Sequence, residues 1–249
     1  MFKVVYPNAK DFFSFISAVA KVSDIVTLNL SEDGVFSRHL TEDKTLMALA
    51  KIPKDVLSDY SIEKPLSVKL DITSVKKILS KAKSKKATIE IDETESGIKI
   101  VIKDEKSGTK SNIYLKVEKG DVEQINEPKV NLSASFTTDD KVLDIIAGDL
   151  SLIGEEMKIS AYEDRIEIEI DEQGKKYFAI LTKDKSLKDI SVESSASASY
   201  SVEMFKNAVA TLRGFSAPIT VSFGNNLPIR LSVDVPSGGQ MTFWIAPRA

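Results

Sequence analysis

The chain has 249 residues, no cysteine, a single histidine and a formal net charge of −3. Without cysteine there are no disulfides, thiol nucleophiles or cysteine-ligated metals, and one histidine, His39, predicts neither a zinc site nor a catalytic triad. No apolar run approaches the roughly 18 residues of a membrane span, and no secretory signal is visible at the N-terminus. The sequence therefore predicts a cytoplasmic globular protein.

The first half of the chain predicts a helix, strands, a second helix and more strands. Apolar residues at helical spacing predict a first helix over residues 9–22. Residues 26–30 alternate between apolar and polar, which predicts an antiparallel strand with one solvated face. A second helix is predicted over residues 72–82, with Asp71 or Thr73 as its N-cap.

A segment without periodicity separates the two halves. Residues 118–128 show neither helical nor strand spacing and end at Pro128. They predict an exposed linker of roughly ten residues. The expected organisation is an N-terminal domain over 1–117, a linker over 118–129 and a C-terminal domain over 130–249.

The second half repeats the first in pattern rather than in identity. Helices are predicted over residues 140–152 and 202–213, and an alternating strand over 166–170. Phe12 corresponds to Leu143 at an offset of 131 residues, and Val75 corresponds to Phe205 at an offset of 130. Two matches at nearly the same offset, in chain order, indicate an internal duplication. The predicted fold class is α+β, with two similar domains, each of two helices packed on antiparallel sheet.

The helix faces opposite the apolar sides carry lysine and small residues, above all in the first half. Such a face is either simply solvated or a surface that slides along phosphates, because lysine neutralises phosphate without reading bases. The net negative charge of the chain does not exclude one basic face. The candidate phosphate contacts are Lys10, Lys21, Lys76, Lys77, Lys81, Lys141, Lys206 and Arg213. They are denser in the N-terminal half than in the C-terminal half.

Five short stretches stand out by their order and spacing: EDGV at 32–35, ITSVKKIL at 72–79, VEQI at 122–125, DLSLIG at 149–154 and IAPR at 245–248. Together they resemble the proliferating cell nuclear antigen family of sliding clamps in its archaeal form. The resemblance covers essentially the whole chain. It implies a DNA clamp fold in which three chains form a pseudo-six-fold ring, with the helices lining the hole.

The resemblance implies binding rather than catalysis, with no cofactor, no metal and no catalytic residue. The implied partners are double-stranded DNA, two further clamp subunits, a clamp loader, DNA polymerase, flap endonuclease and DNA ligase. Clients would insert a peptide with a glutamine, an aliphatic and two aromatic residues. Carried over by position, that pocket is lined by Leu40, Lys44, Met47, Ile125, Pro128, Pro228, Ala246 and Pro247. The implied subunit seam joins edge strands over 109–117 and 175–181, with Lys110, Tyr114, Tyr177, Ile180 and Leu181 as candidate contacts.

Two other functional classes stay open at this point. A carboxylate-only enzyme is weakly supported, because Glu167 and Glu169 alternate with apolar residues as on a solvated sheet face. A duplicated β-rich protein that binds proteins but not DNA would share the repeat and the edges. Lys77 and Lys81 discriminate between that alternative and a clamp. The sequence leaves open whether the ring contains three identical or three related chains.

Overall fold

The computed structural model describes residues 1–79, 84, 86–124 and 126–248, and the chain divides into two compact units. The first unit contains Met1–Leu40, Ala48–Ile125 and Val235–Met241. The second unit contains Thr41–Met47, Asn126–Asp234 and Thr242–Ala249. Each unit therefore holds a segment that is distant in sequence from the rest of it.

The described residues between 1 and 124 form ten strands and two α-helices. In chain order they are β1 (Phe2–Tyr6), α1 (Ala9–Val19), β2 (Ile25–Ser31), β3 (Gly34–Leu40), β4 (Leu46–Pro53), β5 (Asp59–Ile62), β6 (Leu66–Asp71), α2 (Ile72–Leu79), β7 (Ala87–Thr94), β8 (Gly97–Asp104), β9 (Thr109–Lys116) and β10 (Glu118–Gly120).

Residues 126–248 form nine strands and two helices. They are β11 (Ala134–Thr138), α3 (Asp140–Ile153), β12 (Glu156–Tyr162), β13 (Arg165–Glu172), β14 (Lys175–Thr182), β15 (Leu187–Val192), β16 (Ala196–Ser201), α4 (Val202–Leu212), β17 (Ile219–Phe223), β18 (Ile229–Asp234) and β19 (Gln240–Ile245).

The same strand pairing occurs in both units. In the first, β1 lies between β5 and β7, which pairs with β8, while β2 lies between β6 and β3. In the second, β11 lies between β15 and β17, which pairs with β18, while β12 lies between β16 and β13. All of these pairs are antiparallel. The α+β class and the internal duplication predicted from the sequence are thus confirmed.

Each pair of helices packs its apolar side inward. Phe12 and Phe15 of α1 are buried beside the fully buried Tyr6, with ring centroids 6.0 and 6.2 Å from that of Tyr6. Leu143 of α3, the equivalent of Phe12, and Phe205 of α4, the equivalent of Val75 of α2, are also fully buried. Each such side chain contributes about 1.5–3 kcal/mol by its burial. The apolar spacing that predicted the helices is the spacing of the core.

The helix ends differ by a few residues from the prediction. Asp71 does cap α2, since its carboxylate accepts from the amide nitrogens of Thr73 at 2.7 Å and Ser74 at 3.4 Å. Helix α1 ends at Val19 rather than at 22, because the amides of Lys21 and Val22 turn back to carbonyls only three residues away. Residues 80–82 of the predicted second helix lie outside the described part of the chain.

A buried hydroxyl network holds the segment 235–241 within the first unit. The Tyr6 hydroxyl donates to the Gly238 carbonyl at 2.6 Å and lies 2.7 Å from the Ser237 hydroxyl. Ser237 in turn donates to the Asp11 carboxylate. Burial raises the pKa of Tyr6 to about 12, so its proton stays in place at neutral pH. Gly238 has a φ of +106°, a conformation that favours glycine.

The prediction that one face of β2 is exposed to solvent is wrong. Thr27 and Asn29 point away from the apolar side of that strand, as the alternation requires, yet both are only 1% exposed. The linker covers them, since the Glu123 side chain and backbone bond to both residues. The linker is also not wholly irregular, because Glu118–Gly120 pairs with β6 as the strand β10. On β13 the prediction is confirmed, because Glu167 and Glu169 stay partly exposed.

Candidate functional site

The basic candidates of the first unit lie on or just after its two helices. Lys76 and Lys77 are exposed in the last turn of α2, where a positive charge also complements the helix dipole. Lys10 lies half-buried in the first turn of α1, and Lys21 is exposed in the turn that follows this helix. Lys81 lies outside the described residues. The four described lysines thus lie on or beside the helices of this unit, and their contact with DNA stays a prediction.

The basic candidates of the second unit are fewer and partly engaged. The Arg213 guanidinium lies 2.5 Å from the Asp144 carboxylate, so much of its charge is offset within the unit. The Lys206 ammonium donates to the Ser151 hydroxyl at 2.9 Å. Lys141 is exposed, but α3 carries three aspartates against this single lysine. Its surface also exposes Ile145 and Leu152, at 65% and 75%. The charge balance of this helix is therefore less favourable to phosphate than that of α2.

The loop that contains Lys44 is held by its own side chains. The Asp43 carboxylate accepts from the hydroxyls of Thr41 at 2.6 Å and Thr45 at 2.7 Å and from the Thr45 amide at 3.0 Å. These bonds lower the pKa of Asp43. Lys44 takes a positive φ of 59° at the tip of the loop. The loop therefore presents Lys44 in a fixed position.

Hydrogen bonds in the second unit connect some of the segments that carry the predicted pocket residues. The Ala246 amide donates to the Thr45 carbonyl at 2.9 Å, which joins the loop to the C-terminal segment. The indole of Trp244 donates to the Glu127 carboxylate at 3.1 Å, next to Pro128. Of the other candidates, Lys44, Met47, Pro228 and Pro247 belong to this unit and Leu40 to the first, while Ile125 lies outside the described residues.

The two predicted seam strands each lie at the end of a sheet. Strand β9 ends the five-stranded sheet of the first unit, and β14 ends the four-stranded sheet of the second. On β9, Lys110 and Tyr114 are exposed, Tyr114 at 69%, and the Lys99 ammonium lies 6.0 Å from the Tyr114 ring centre. An unpaired strand of this kind is a template for pairing with another chain.

On β14 the candidates divide between its two faces. Ile180 is 51% exposed, whereas Leu181 is buried inside the second unit and has no surface to offer a partner. Tyr177 is half-buried and its hydroxyl bonds to the Asp149 carboxylate at 3.2 Å. Burial and the Asp149 charge raise the pKa of Tyr177 to about 12. Phe178, which the sequence reasoning missed, is 48% exposed on the same face as Ile180. Its position could have been predicted from the sequence, because residues 176, 178 and 180 alternate with 177, 179 and 181 and therefore share one face of the strand.

Comparison with known proteins decides the family. The family model described as the N-terminal domain of proliferating cell nuclear antigen matches residues 1–125. Over 248 residues the chain is 66% identical to DNA polymerase sliding clamp 1 of Saccharolobus solfataricus, with 100% of both chains covered. The chain belongs to the proliferating cell nuclear antigen family.

Other members of the proliferating cell nuclear antigen family match over the same extent. DNA polymerase sliding clamp 2 of Sulfurisphaera tokodaii is 52% identical, with 100% of both chains covered. The DNA polymerase sliding clamp of Pyrococcus furiosus is 26% identical, with 99% of this chain and 98% of that protein covered. The crystal structure of the family member from Thermococcus kodakaraensis superposes with a TM-score of 0.89, at 19% identity and full coverage of both chains. That likeness shows a shared fold.

The described part of the chain contains neither a membrane-spanning helix nor a metal-binding cluster. Within residues 1–79, 84, 86–124 and 126–248, no helix is long and apolar enough to cross a membrane. In that same part of the chain, no three histidine or acidic side chains gather where they could hold a metal ion. The features that remain as candidate sites are the basic helix faces, the Lys44 loop with the C-terminal segment, and the two edge strands.

Proposed function

We propose that this chain is one subunit of a DNA sliding clamp, a ring that encircles duplex DNA and acts as a processivity factor in replication and repair. The observation that carries the proposal is the 66% identity over the whole chain to a protein named DNA polymerase sliding clamp 1. The exposed lysines Lys76 and Lys77 of α2 and Lys21 in the turn after α1 add support, because lysine on a helix surface can contact phosphates without reading bases. The protein then works as a non-catalytic binding platform.

The proposed DNA contact is electrostatic and independent of sequence. Lysine side chains reach phosphates as mobile point charges and make no bidentate contact with base edges. The contacts are Lys10, Lys21, Lys76, Lys77, Lys81, Lys141 and Lys206, with a smaller part for Arg213, because its charge is paired with Asp144. Loose contacts suit sliding, because no single register along the duplex is preferred.

The proposed assembly is a trimer of two-domain chains, with domains over 1–117 and 130–249 and a linker over 118–129. Strand β9 of one subunit pairs with β14 of the next, with Tyr114, Phe178 and Ile180 in the seam. Both strands carry lysines and no carboxylate, so pairing between identical copies brings like charges together. This favours a related chain with an acidic edge as the ring partner. A clamp loader opens the ring.

The proposed client site is formed by the linker, the Lys44 loop and the C-terminal segment. Its apolar residues, Leu40, Met47, Ile125, Pro128, Pro228, Ala246 and Pro247, would receive the aromatic anchors of a client peptide. The clients are DNA polymerase, flap endonuclease and DNA ligase, and the place of action is the cytoplasm, on the nucleoid. The bond from Ala246 to Thr45 supports a site that is largely formed before the peptide binds.

The decisive experiment compares circular with linear DNA. The protein, with its ring partners, a clamp loader and ATP, is expected to stay on nicked circular DNA through gel filtration and to run off the same DNA after linearisation. A closed ring around circular DNA is held by topology. It can leave only where the DNA has a free end over which it can slide. Equal retention on both forms would show ordinary DNA binding and contradict the clamp. A protein with no retention on either form would fit the DNA-free alternative.

Replacing Ile125 with aspartate is expected to lower the affinity for a synthetic client peptide by about a hundredfold. A charge placed against an aromatic anchor in an apolar pocket is buried without a partner. Isothermal titration calorimetry measures the effect. Asp121→Ala, a change at an exposed linker position, serves as the control and is expected to bind normally. Unaltered affinity in Ile125→Asp would remove the linker from the client site.

A further inference from the structure

The face of β2 that the linker covers holds two buried polar side chains, and one linker residue bonds to both. The Thr27 hydroxyl donates to the Glu123 carboxylate at 3.0 Å, and the Glu123 amide donates to the Asn29 side-chain oxygen at 2.8 Å. Thr27 and Asn29 are each 1% exposed. Buried polar groups of this kind are costly without partners. Their partners are therefore a reason for the linker to stay where it is.

The linker lies across this face rather than beside it. Strand β10 pairs with β6, with Glu118 opposite Lys69 and Gly120 opposite Ser67. Three residues later, Glu123 has reached β2, which is the next strand after β6. Ile125, the linker residue of the proposed client site, follows Glu123 by two positions. The bonds of Glu123 therefore hold the linker two residues before Ile125 in the sequence.

His39 completes this group through the backbone of Thr27. The Thr27 amide donates to Nε2 of His39 at 3.1 Å, where the regular pairing of β2 with β3 has already ended at Asn29 and Phe36. The imidazole thus takes the place of a strand partner. Only a neutral imidazole has the lone pair on Nε2 that this bond needs. The bond therefore reports, and depends on, the protonation state of His39.

We propose that Thr27, Asn29, His39 and Glu123 form a linker anchor, in which Glu123 is a positioning residue for the client peptide and protonation of His39 loosens the linker. The role of Glu123 toward the peptide rests on the proposed function. The anchor itself does not, because all four residues and their bonds lie within the first unit.

The direction of the pH effect follows from the surroundings of His39. Burial lowers the pKa of His39 below its ordinary value of 6.5, and the negative charge of Glu123 offsets part of that shift. The other charged groups about the anchor are Lys69 on β6, paired with Glu118 on β10, and Arg38 on β3. A group with a lowered folded pKa stabilises the anchored state above 6.5. That stabilisation is lost as the pH falls from 6.5 through the folded pKa.

The first test measures client-peptide affinity by calorimetry in the assembled protein at about pH 7.5. Glu123→Ala is expected to weaken binding about tenfold, the loss expected when a hydrogen bond to a charged group is removed. Glu123→Gln keeps the oxygen that accepts from Thr27 and is expected to restore most of the affinity. Asp121→Ala removes an exposed carboxylate two residues away and is expected to have no effect. Equal affinities for Glu123→Ala and Asp121→Ala would overturn the positioning role.

The second test uses the only histidine and needs no peptide. Proton NMR of His39 is expected to give a pKa below 6.5, and hydrogen exchange of the Glu123 amide, corrected for its intrinsic rate, to lose protection between about pH 7.5 and about pH 5. His39→Gln, which does not titrate, is expected to flatten that loss. Protection that is unchanged with pH in the wild type, or that falls equally in His39→Gln, would overturn the protonation step.

The two tests separate this inference from the proposed function. A wild-type protein that binds no client peptide at any pH contradicts the proposed client site, and with it the positioning role. The exchange measurement then still decides the anchor alone. Peptide binding in the wild type that is insensitive to Glu123→Ala contradicts the inference and leaves the clamp intact.

Discussion

Replacing Lys76 and Lys77 together by glutamate is expected to lower strongly the amount of protein that is loaded and then retained on nicked circular DNA, while leaving the protein folded. Topology holds a ring that has closed, but loading first requires the electrostatic contact with the duplex. Each lost phosphate contact lowers a non-specific binding constant about tenfold near about 0.1 M salt, and the new carboxylates add repulsion. The slope of log K against log salt is expected to become shallower by about one unit per lysine. Retention by gel filtration and binding by anisotropy over a salt series measure both effects.

The control for this experiment changes the same charge elsewhere in the first unit. Lys51 and Lys54 are exposed and lie at the end of β4 and just after it. The double change Lys51→Glu/Lys54→Glu is expected to leave retention nearly unaltered. The Lys76 and Lys77 variant loses a favourable interaction with the helix dipole, about 0.3–1 kcal/mol each, so a thermal melt verifies the fold. Equal retention in both double variants would misplace the DNA surface.

Ile180→Glu is expected to prevent ring formation. In the proposed seam this side chain is covered by a neighbouring strand, and an unpaired charge buried there costs about 3–5 kcal/mol. That lowers the association constant by about a hundredfold or more. Light scattering of the chain mixed with related clamp chains is expected to show about three times 27.4 kDa for the wild type and a smaller mass for the variant.

Ile25→Glu is the matched control, because Ile25 and Ile180 are both 51% exposed. Strand β2, which contains Ile25, is paired on both sides and offers no edge. The control is expected to assemble normally. Full assembly of Ile180→Glu would place the seam elsewhere, and a wild-type monomer in every mixture would contradict the ring.

The helices and their duplication could be predicted because one physical cause produces the pattern. A helix must bury one side, so Phe12 and its equivalent Leu143 are constrained in the same way, and both are fully buried. The spacing of apolar residues records that constraint even where identity is lost. Edge strand β9 was predicted differently, because its place at a sheet edge and the role of its exposed Tyr114 come from the family resemblance.

The covered face of β2 could not be predicted, because local alternation says only which side is polar. Whether Thr27 and Asn29 meet water depends on Glu123, some 94 to 96 residues later in the chain. Arg213 shows the same limit, since a lone cation in the sequence does not reveal its pairing with Asp144. The prediction that both Ile180 and Leu181 contact the neighbouring subunit was wrong for Leu181, because adjacent residues of a strand face opposite sides of the sheet.

The hydroxyl network around Tyr6 has a consequence for how the chain can be divided. Residues 235–241 are needed to satisfy the Tyr6 hydroxyl, and residues 41–47 belong to the second unit. A fragment that stops at the linker would leave the buried Tyr6 hydroxyl without its acceptor. It would also contain residues 41–47 without the second unit, to which they belong. Each half of the chain therefore contributes a short segment to the unit formed mainly by the other half. Proteolysis in the linker is expected to nick the molecule without yielding two autonomous pieces.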